Sequence, residues 1–481
     1  VALQTNIGLI GLAVMGKNLV LNMIDHGFSV SVYNRTPEKT RDFLKEYPNH
    51  RELVGFESLE DFVNSLERPR KIMLMIQAGK PVDQSIHALL PFLEPGDVII
   101  DGGNSYFKDS ERRCKELQEK GILFLGVGIS GGEEGARHGP SIMPGGNPEA
   151  WPLVAPIFQS IAAKVQGRPC CSWVGTGGAG HYVKAVHNGI EYGDIQLICE
   201  AYGILRDFLK LSATAVATIL KEWNTLELES YLIRIASEVL ALKDPEGIPV
   251  IDTILDVVGQ KGTGKWTAID ALNSGVPLSL IIGAVLARFL SSWKEIREQA
   301  ARNYPGTPLI FEMPHDPSVF IQDVFHALYA SKIISYAQGF MLLGEASKEY
   351  NWGLDLGEIA LMWRGGCIIQ SAFLDVIHKG FAANPENTSL IFQEYFRGAL
   401  RHAEMGWRRT VVTAIGAGLP IPCLAAAITF YDGYRTASSS MSLAQGLRDY
   451  FGAHTYERND RPRGEFYHTD WVHTKTTERV K

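Results

Sequence analysis

The sequence predicts an α/β domain, a large all-helical domain after it, and a C-terminal tail. In the first part of the chain, short apolar runs alternate with amphipathic stretches, which is typical of a parallel sheet covered by helices. Past Gly178 the runs of strand length stop and long helical patterns replace them. Near its end the chain becomes polar and aromatic, too irregular for a core. We therefore expect domains at 1–177 and 178–435, and a tail at 436–481 that packs on another surface.

The elements of the first domain follow from these runs. The apolar runs predict five strands, in chain order NIGLIG, SVSVYN, KIMLMI, DVIIDGG and GILFLGV. The stretches between them predict helices, of which the clearest are GKNLVLNMIDHG, PVDQSIHALLPFL and DSERRCKELQEKG. In the second domain the clearest helical patterns cover 179–210, 230–243 and 326–350.

One apolar segment of the second domain resembles a membrane span. Residues 410–431 carry no charged side chain, and they approach the roughly 20 residues that a span needs. The glycines and prolines of its central GLPIP sequence instead predict a break between two short buried helices. We therefore expect this segment to belong to the core.

Composition limits the function classes. The chain has 481 residues, of which 46% are hydrophobic and 21% charged, as in a globular protein of two or three domains. A formal net charge of −7 without a basic stripe argues against nucleic-acid binding. The six cysteines form no C-x-x-C pair and suit a reducing compartment, so a cytoplasmic location is expected. The His, Cys, Asp and Glu residues show no metal-ligand spacing, and we expect no metal.

The first strand leads into the glycine turn GLAVMG at 11–16. It has the pattern G-x-G-x-x-G with Ala13 at the second glycine, between a predicted strand and a predicted helix. Gly11 would make the tight turn, Gly16 would let the helix pack on the sheet, and Ala13 still permits a pyrophosphate to approach the helix N-terminus. The turn predicts a Rossmann-like, dinucleotide-binding domain.

The end of the second predicted strand indicates which dinucleotide binds. An NAD enzyme usually has an Asp or Glu there for the ribose 2′-hydroxyl, whereas this chain has Asn34, Arg35 and Thr36. A guanidinium in place of a carboxylate suits a 2′-phosphate and favours NADP. The alternative is a surface arginine in a turn that Thr36 caps.

The most informative helix follows the glycine-rich segment at 174–181. Its side chains Lys184, His187, Asn188, Glu191 and Tyr192 are spaced to share one helical face, which we call the polar face. Spacing alone leaves open an ordinary solvated face. However, Lys184 and Glu191 lie two turns apart, about 10 Å along the axis, which is too far for the usual helical ion pair. A lysine made neutral by burial and a nearby carboxyl group would form an acid/base pair for a hydroxy acid.

Three loops could complete a ligand site. The SGG loop at Ser130–Gly132 and the DGGNS loop at 101–105 each follow a predicted strand, where sheets of this class bind ligands. Turn chemistry alone is the alternative for both. The third loop, GQKGTGKWT at 259–267, begins like a kinase phosphate loop but has Trp266 where such loops have Ser or Thr. It remains a plausible anion cradle because it combines exposed N–H groups with cations.

Together these motifs resemble the 6-phosphogluconate dehydrogenase family, over essentially the whole chain. The strings that carry the resemblance are GLAVMG, NRT, DGGNS, SGGEEGAR, KAVHNGIEYGDIQLICEAY, GQKGTGKWT, ALYASKIISYAQGF and FGAHTYER. The resemblance implies NADP-dependent oxidation of 6-phosphogluconate with loss of carbon dioxide, giving ribulose 5-phosphate. It also implies a homodimer in which the tail completes the partner's site.

The resemblance further implies a role for each site residue. Lys184 would act as base and then acid, Glu191 would protonate the carbon that loses the carboxylate, and Asn188 would assist. The implied substrate contacts are Asn104, Ser130, Gly131, Gly132, His187, Asn188, Tyr192, Lys261, Thr263 and Arg288, with Arg448 and His454 from the partner's tail. The implied NADP contacts are Gly11, Leu12, Ala13, Val14, Met15, Gly16, Asn34, Arg35, Thr36, Ile76, Gln77, Ala78 and Asn104.

One position departs from the family pattern. Gln77 stands where the family often has lysine, with Lys80 nearby, so the family's cationic cofactor contact is not expected at position 77. A plain β-hydroxyacid dehydrogenase is the alternative enzyme, and the cationic and protonatable set of Lys261, Arg288 and the tail residues argues against it. A non-catalytic NADP-binding protein would not need the Lys184 and Glu191 pair.

Overall fold

The computed structural model of the protein describes residues 4–259, 262–306, 316–385, 387 and 389–480. The chain forms two compact units, Val1–Ile428 and Thr429–Lys481.

The larger unit begins with a mixed eight-stranded sheet and a separate small hairpin. Its strands are β1 (Ile7–Ile10), β2 (Val30–Tyr33), β3 (Leu53–Phe56), β4 (Lys71–Leu74), β5 (Val98–Asp101), β6 (Leu123–Ile129), β7 (Ile142–Gly146), β8 (Lys164–Val165), β9 (Arg168–Pro169) and β10 (Gly175–Thr176). The large sheet has the order β10-β7-β6-β5-β4-β1-β2-β3, and β8 pairs with β9. Strands β1 to β6 are parallel neighbours in the doubly wound order, so the chain changes direction across the sheet between β1 and β4.

Helices cover both faces of this sheet because adjacent strand residues point to opposite sides. The helices are α1 (Val14–Asp25), α2 (Pro37–Glu46), α3 (Leu59–Asn64), α4 (Lys80–Leu89), α5 (Phe107–Gln118), α6 (Gly132–His138) and α7 (Trp151–Ile161). In β1, Leu9 belongs to the apolar core that includes residues of α1 and α7. The next residue, Ile10, belongs to the core that includes residues of α3, α4 and α5.

The rest of the larger unit is helical. Its helices are α8 (Ala179–Gly203), α9 (Ala213–Trp223), α10 (Tyr231–Ala241), α11 (Thr263–Asn273), α12 (Ser279–Ser291), α13 (Lys294–Asn303), α14 (Pro317–Glu349), α15 (Leu356–Met362), α16 (Leu374–Ala383), α17 (Glu394–Gly416) and α18 (Pro422–Tyr434), the last of which crosses into the smaller unit. The 25-residue α8 packs against β6 and β7 and also against α14. It therefore joins the sheet to the helical layer.

These elements confirm the predicted fold class and extend the predicted sheet. All five predicted strands form, but the sequence analysis missed β3, β7 and β10. Strand β7 has the sequence IMPGG, whose Pro and Gly residues predict a turn, and it runs antiparallel to β6. The predicted purely parallel sheet is therefore wrong at this edge.

The uncharged segment at 410–431 does contain the predicted break, which separates α17 from α18. The prediction of two short helices is wrong, since α17 has 23 residues and α18 has 13. Much of α17 lies before residue 410 and carries charged side chains, which an apolar window does not reveal. Within the described ranges, no helix is long and apolar enough to cross a membrane.

The smaller unit is more regular than the polar composition of the tail suggested. It contains α19 (Met441–Gly452) and the antiparallel strands β11 (Tyr456–Glu457), β12 (Phe466–Thr469) and β13 (Thr477–Val480). The expectation that 436–481 is irregular is therefore wrong. Among its described residues, however, Tyr467 is the one buried large apolar side chain, and a polar group organises the unit.

That group is the buried carboxylate of Asp449. It accepts hydrogen bonds from the backbone N–H groups of Thr455 and Thr469, from His468 Nδ1 and from Trp471 Nε1, at 2.9–3.0 Å. Burial raises the pKa of Asp449, but these hydrogen bonds outweigh burial and hold the pKa at about 2. The carboxylate therefore ties the end of α19 to the small sheet.

Candidate active site

The glycine turn lies at the carboxyl end of β1, beside the point where the strand order reverses. Gly11 has a φ of +106°, and a side chain there would collide with the carbonyl of Met75. A side chain at Gly16 would collide with the carbonyl of Gly11. These two glycines therefore let β1, α1 and the loop after β4 approach closely, which leaves the N-terminus of α1 open to a phosphate group.

A cavity of about 380 Å³ opens beside this turn. It is lined by Ile10, Gly11, Tyr33, Asn34, Arg35, Thr36, Lys39, Leu59, Ile76, Gln77, Pro81, Gln84, Ser85 and Ala88. Six predicted cofactor residues are among them. The others, Leu12, Ala13, Val14, Met15, Gly16, Ala78 and Asn104, do not line this cavity.

The cavity wall contains two exposed cations that are not paired with any described residue. The side chain of Asn34 accepts a hydrogen bond from Leu12 N at 3.1 Å, which ties the turn to the end of β2. Arg35 is exposed and its side chain has no hydrogen bond or ion pair with any residue that the structure describes. The same is true of Lys39, which was not predicted from the sequence although it lies only four residues after Arg35. Both cations are available to an anionic group, and the cavity therefore suits NADP.

The polar face of α8 is buried or half-buried, which excludes the solvated face that spacing left open. Lys184 is 6% exposed, and its stem crosses β6 at Gly128, where any side chain would collide with it. Its Nζ forms no hydrogen bond or ion pair among the described residues. Burial lowers the pKa of Lys184, although the negative charge of Glu191 opposes that effect. The neutral form of the amine is therefore populated at a lower pH than in an exposed lysine.

The pKa values of Glu191 and His187 are shifted in opposite directions. Burial raises the pKa of Glu191, while the positive charges of Lys184 and Arg288 oppose that increase. Burial, aided by the charge of Lys184, lowers the pKa of His187 well below its ordinary value. The imidazole is therefore neutral, and the carboxyl group of Glu191 retains its proton to a higher pH than an exposed glutamate.

A chain of hydrogen bonds links the SGG loop to the N-terminus of α11. Ser130 Oγ lies 3.2 Å from His187 Nε2, and His187 Nδ1 lies 2.9 Å from Asn188 Oδ1. Asn188 Nδ2 donates to Thr263 Oγ1 at 2.9 Å. Because Nδ1 faces a carbonyl oxygen, it carries the proton of the neutral ring, and Ser130 therefore donates to Nε2. These bonds fix the side chains between the two loops.

The N-terminus of α11 also faces a cation and an aromatic ring. Thr263 is the first residue of α11, after Gly262 at a φ of +98°. The guanidinium of Arg288 lies 3.5 Å from the centre of the Tyr192 ring, and its Nη1 donates to the carbonyl of Gly259 at 3.4 Å. Lys261, which was predicted to bind substrate here, lies outside the described residues.

The sequence analysis missed one segment beside the polar face, residues 363–367. The buried Trp363 ring meets the His187 ring edge-on, with 5.6 Å between their centres. A side chain at Gly131 would collide with the carbonyl of Gly366, so the two backbones are in close contact. The adjacent glycines of the sequence WRGGC are the one signal that could have indicated this close approach.

The remaining predicted residues lie elsewhere. Asn104 follows β5, and Gly131 and Gly132 lead into α6. Arg448 and His454 lie in the smaller unit, where Arg448 Nη1 donates to Gln445 Oε1 at 3.0 Å. Their part in a shared site stays a prediction. Within the described part of the chain, no group of three or more His, Cys, Asp or Glu residues could hold a metal ion.

Comparison with known proteins identifies the family. The family model described as "6-phosphogluconate dehydrogenase, C-terminal domain" matches residues 180–471, and that described as "NAD binding domain of 6-phosphogluconate dehydrogenase" matches residues 6–175. The chain is 65% identical to the decarboxylating 6-phosphogluconate dehydrogenase of Chlamydia muridarum over 99% of each chain. It is 54% identical to the human enzyme of the same name over 98% of this chain and 97% of the relative.

A solved structure shows the same fold. The 6-phosphogluconate dehydrogenase of Plasmodium falciparum superimposes with a TM-score of 0.93 at 43% identity, covering 97% of this chain and 100% of the other. That enzyme was solved in its apo form, with its cofactor NADP⁺ and with its substrate 6-phosphogluconate.

Proposed function

The chain belongs to the 6-phosphogluconate dehydrogenase family, and from that premise we propose how its residues carry out the reaction. The reaction is the NADP-dependent oxidative decarboxylation of 6-phospho-D-gluconate to D-ribulose 5-phosphate, carbon dioxide and NADPH. The observation that carries the proposal is the buried Lys184, which has no ion pair among the described residues and shares a helix face with Glu191. The pKa values of the two groups are shifted in opposite directions. Such a pair can remove and return protons near neutral pH.

Lys184 acts first as a base. Its neutral Nζ takes the proton of the C3 hydroxyl while the hydrogen on C3 leaves as hydride. NADP⁺, when bound, supplies the acceptor for that hydride. The lysine, now an ammonium, then protonates the carbonyl oxygen as the 3-keto acid loses carbon dioxide. Because Lys184 returns the proton to the carbonyl oxygen, the reaction needs no metal ion.

Glu191 acts as the acid of the final step. The loss of carbon dioxide leaves an enediol, and its carbon must be protonated to give ribulose 5-phosphate. The raised pKa of Glu191 keeps a proton on its carboxyl group for this step. Asn188, fixed by His187 and Thr263, assists by holding the substrate.

Two groups of residues orient the substrate. Ser130, Gly131, Gly132, His187 and Asn104 bind its carboxylate and hydroxyl groups. Its phosphate lies at the N-terminus of α11, where Thr263, Arg288 and Tyr192, together with Lys261, bind it. A helix N-terminus with adjacent cations is a favourable phosphate site, which supports this assignment.

The cavity beside the glycine turn holds NADP⁺. Gly11, Ala13 and Gly16 admit its pyrophosphate to the N-terminus of α1, with Leu12, Val14 and Met15 in the same segment. Asn34, Arg35 and Thr36 bind the adenosine 2′-phosphate, and we add Lys39 to that group. Ile76, Gln77, Ala78 and Asn104 approach the rest of the cofactor from the loops after β4 and β5.

The active enzyme is a homodimer whose tails complete the partner's site with Arg448 and His454. Large apolar side chains remain exposed on the larger unit, which supports burial against a second copy: Leu272, Leu286, Phe289, Leu290, Trp293 and Ile296. Free, mostly buried cysteines are compatible with the cytoplasm, where we place the enzyme.

The reaction is tested by mixing the protein with 6-phosphogluconate and NADP⁺, and separately with NAD⁺. Reduced nicotinamide and carbon dioxide are measured together, and we expect equal amounts of both, with NADP⁺ strongly preferred. Reduction without carbon dioxide would contradict the role of Glu191 and leave a simple dehydrogenase.

The shared site is tested by mixing two inactive variants, Lys184→Met and Arg448→Ala. When equal amounts are mixed, about half of the dimers contain one subunit of each variant, and each of these has one intact site of two. Subunit exchange should therefore restore about a quarter of wild-type activity. Mixing that restores none, although mass spectrometry detects mixed dimers, would place Arg448 in its own subunit's site or in none.

A further inference from the structure

The guanidinium of Arg113, on α5, is almost completely buried and lies between two loops of the sheet. It is 1% exposed. Its Nε donates to Asp83 Oδ1 at 2.8 Å and its Nη2 to the carbonyl of Gly79 at 3.1 Å. On the other side, its Nη1 donates to Asp101 Oδ2 at 3.2 Å and lies 3.5 Å from Ser105 Oγ. One side chain thus bonds to two separate parts of the chain.

Both parts adjoin the proposed cofactor site. Gly79 caps α4 and lies two residues after Gln77, and Asp83 lies in the first turn of α4, next to the cavity-lining Gln84. Asp101 ends β5, and Ser105 follows the proposed ligand residue Asn104.

The two loops also contact one another. Asp101 Oδ1 accepts a hydrogen bond from Gly103 N at 3.1 Å, and Asp101 Oδ2 accepts one from Ser105 Oγ at 2.6 Å. A side chain at Gly103 would lie 3.0 Å from the carbonyl of Ile76, which lines the cavity. The loop after β5 therefore supports the loop after β4, and the guanidinium of Arg113 bonds to both.

We propose that Arg113 is a positioning residue for NADP⁺: its guanidinium holds the loops after β4 and β5 in the arrangement that binds the cofactor. The proposal rests on the proposed function of the cavity. Arg113 does not line the cavity and acts through Asp101, Asp83 and Gly79. Only a guanidinium has donors in three directions of one plane, so a lysine cannot reproduce all of these bonds.

The same sheet contains a matched control pair at the opposite ends of β4 and β5. Arg70 precedes β4 and Asp97 precedes β5, and both side chains are buried. Arg70 Nη1 donates to Asp97 Oδ2 at 2.9 Å, and Arg70 N donates to Asp97 Oδ1 at 2.7 Å. Like Arg113 and Asp101, these two residues form a buried arginine–aspartate pair beside β4 and β5. They lie at the amino ends of the strands, away from the cofactor crevice.

The test compares Arg113→Met with Arg70→Met in the full-length enzyme. The dissociation constant for NADP⁺ is measured by isothermal titration calorimetry without substrate, and the unfolding midpoint by calorimetry. Both variants should lower the midpoint, because each leaves a buried aspartate unpaired. Arg113→Met should weaken NADP⁺ binding by about tenfold, whereas Arg70→Met should change it by less than about twofold. Arg113→Lys should recover part of the affinity.

If the methionine variants do not fold, a milder pair of variants tests the same proposal. Asp83→Asn removes the negative charge that accepts from Arg113 Nε at a partly exposed position, and Glu116→Gln removes the negative charge of an exposed partner of Arg112 on the same helix. Asp83→Asn should weaken NADP⁺ binding by about threefold, and Glu116→Gln should leave it unchanged. Wild-type affinity in both Arg113→Met and Asp83→Asn, or equal weakening in Arg70→Met, would overturn the proposal. A wild-type chain that does not bind NADP⁺ would instead overturn the proposed function.

Discussion

The two charged regions of the proposed site differ in their exposure to water. In the cofactor cavity, Arg35 and Lys39 are exposed and are not paired with described protein groups. On the polar face of α8, Lys184 and His187 are buried and Glu191 is half-buried. The exposed cations can bind an anion at a lower desolvation cost than buried ones, whereas burial shifts the pKa values of the α8 groups. The charged groups that are proposed to bind the cofactor thus remain in contact with water, whereas the groups that are proposed to transfer protons are shielded from it.

The sharpest test of this difference is Lys184→Met. Removing the proposed base should lower kcat by about 10⁴-fold, at the upper end of what general acid–base catalysis contributes. The free energy of unfolding should not fall and is expected to rise, because a buried amine that is unpaired among the described residues is replaced by an apolar side chain of similar length. Steady-state kinetics and chemical denaturation measure the two effects.

The matched control for that variant is Lys39→Met. It replaces an exposed lysine in the cofactor cavity, so it should raise the KM for NADP⁺ and leave kcat nearly unchanged. If Lys184→Met kept more than about a hundredth of wild-type kcat, Lys184 would not be the base.

Glu191→Gln should have the next largest effect, lowering kcat by about 10³-fold. The glutamine cannot donate the proton needed in the final step, while the earlier steps depend on Lys184. Rapid mixing should therefore show a burst of about one NADPH per site, followed by slow turnover. A variant without a burst would indicate that Glu191 acts before or during hydride transfer, contrary to the proposal.

Arg35→Ala tests the exposed side of the comparison. It should raise the KM for NADP⁺ by about 30-fold and that for NAD⁺ by less than about threefold, because only NADP⁺ carries the 2′-phosphate. Arg41→Ala is the control, since Arg41 is paired with Glu38 and Glu57 and does not line the cavity. Equal losses for both cofactors would remove Arg35 from the 2′-phosphate site.

The same difference explains what could be predicted from the sequence. The glycine turn and the Asn34–Thr36 segment are local motifs, and their position after a strand places them at the cofactor crevice. The polar face of α8 was also predictable as a face, because helical spacing is local. Its burial was not, since it depends on β6, α14 and the 363–367 segment, which lie far away in the chain. For the same reason the sequence indicated neither Trp363 nor Arg113, whose partners belong to separate loops.

The smallest expected effect is in the pH dependence of the rate, where the acid limb of kcat/KM and the alkaline limb of kcat should both come from the polar face of α8. Lys184 must be neutral to accept a proton, so activity is lost as pH falls through its lowered pKa. Glu191 must be protonated to act as an acid, so activity is lost as pH rises through its raised pKa. Each limb should approach a tenfold loss per pH unit.

Glu191→Gln should abolish the alkaline limb and leave the acid limb, whereas Arg35→Ala should leave both in place. Because Lys184 and Glu191 influence one another, removing the negative charge of Glu191 should also move the acid limb to lower pH. That movement separates a shared, desolvated site from two independent groups. An acid limb that stays in place in Glu191→Gln would show that the two groups titrate independently. Burial would then still separate these groups from the exposed cations of the cofactor cavity, but Lys184 and Glu191 would not be coupled as proposed.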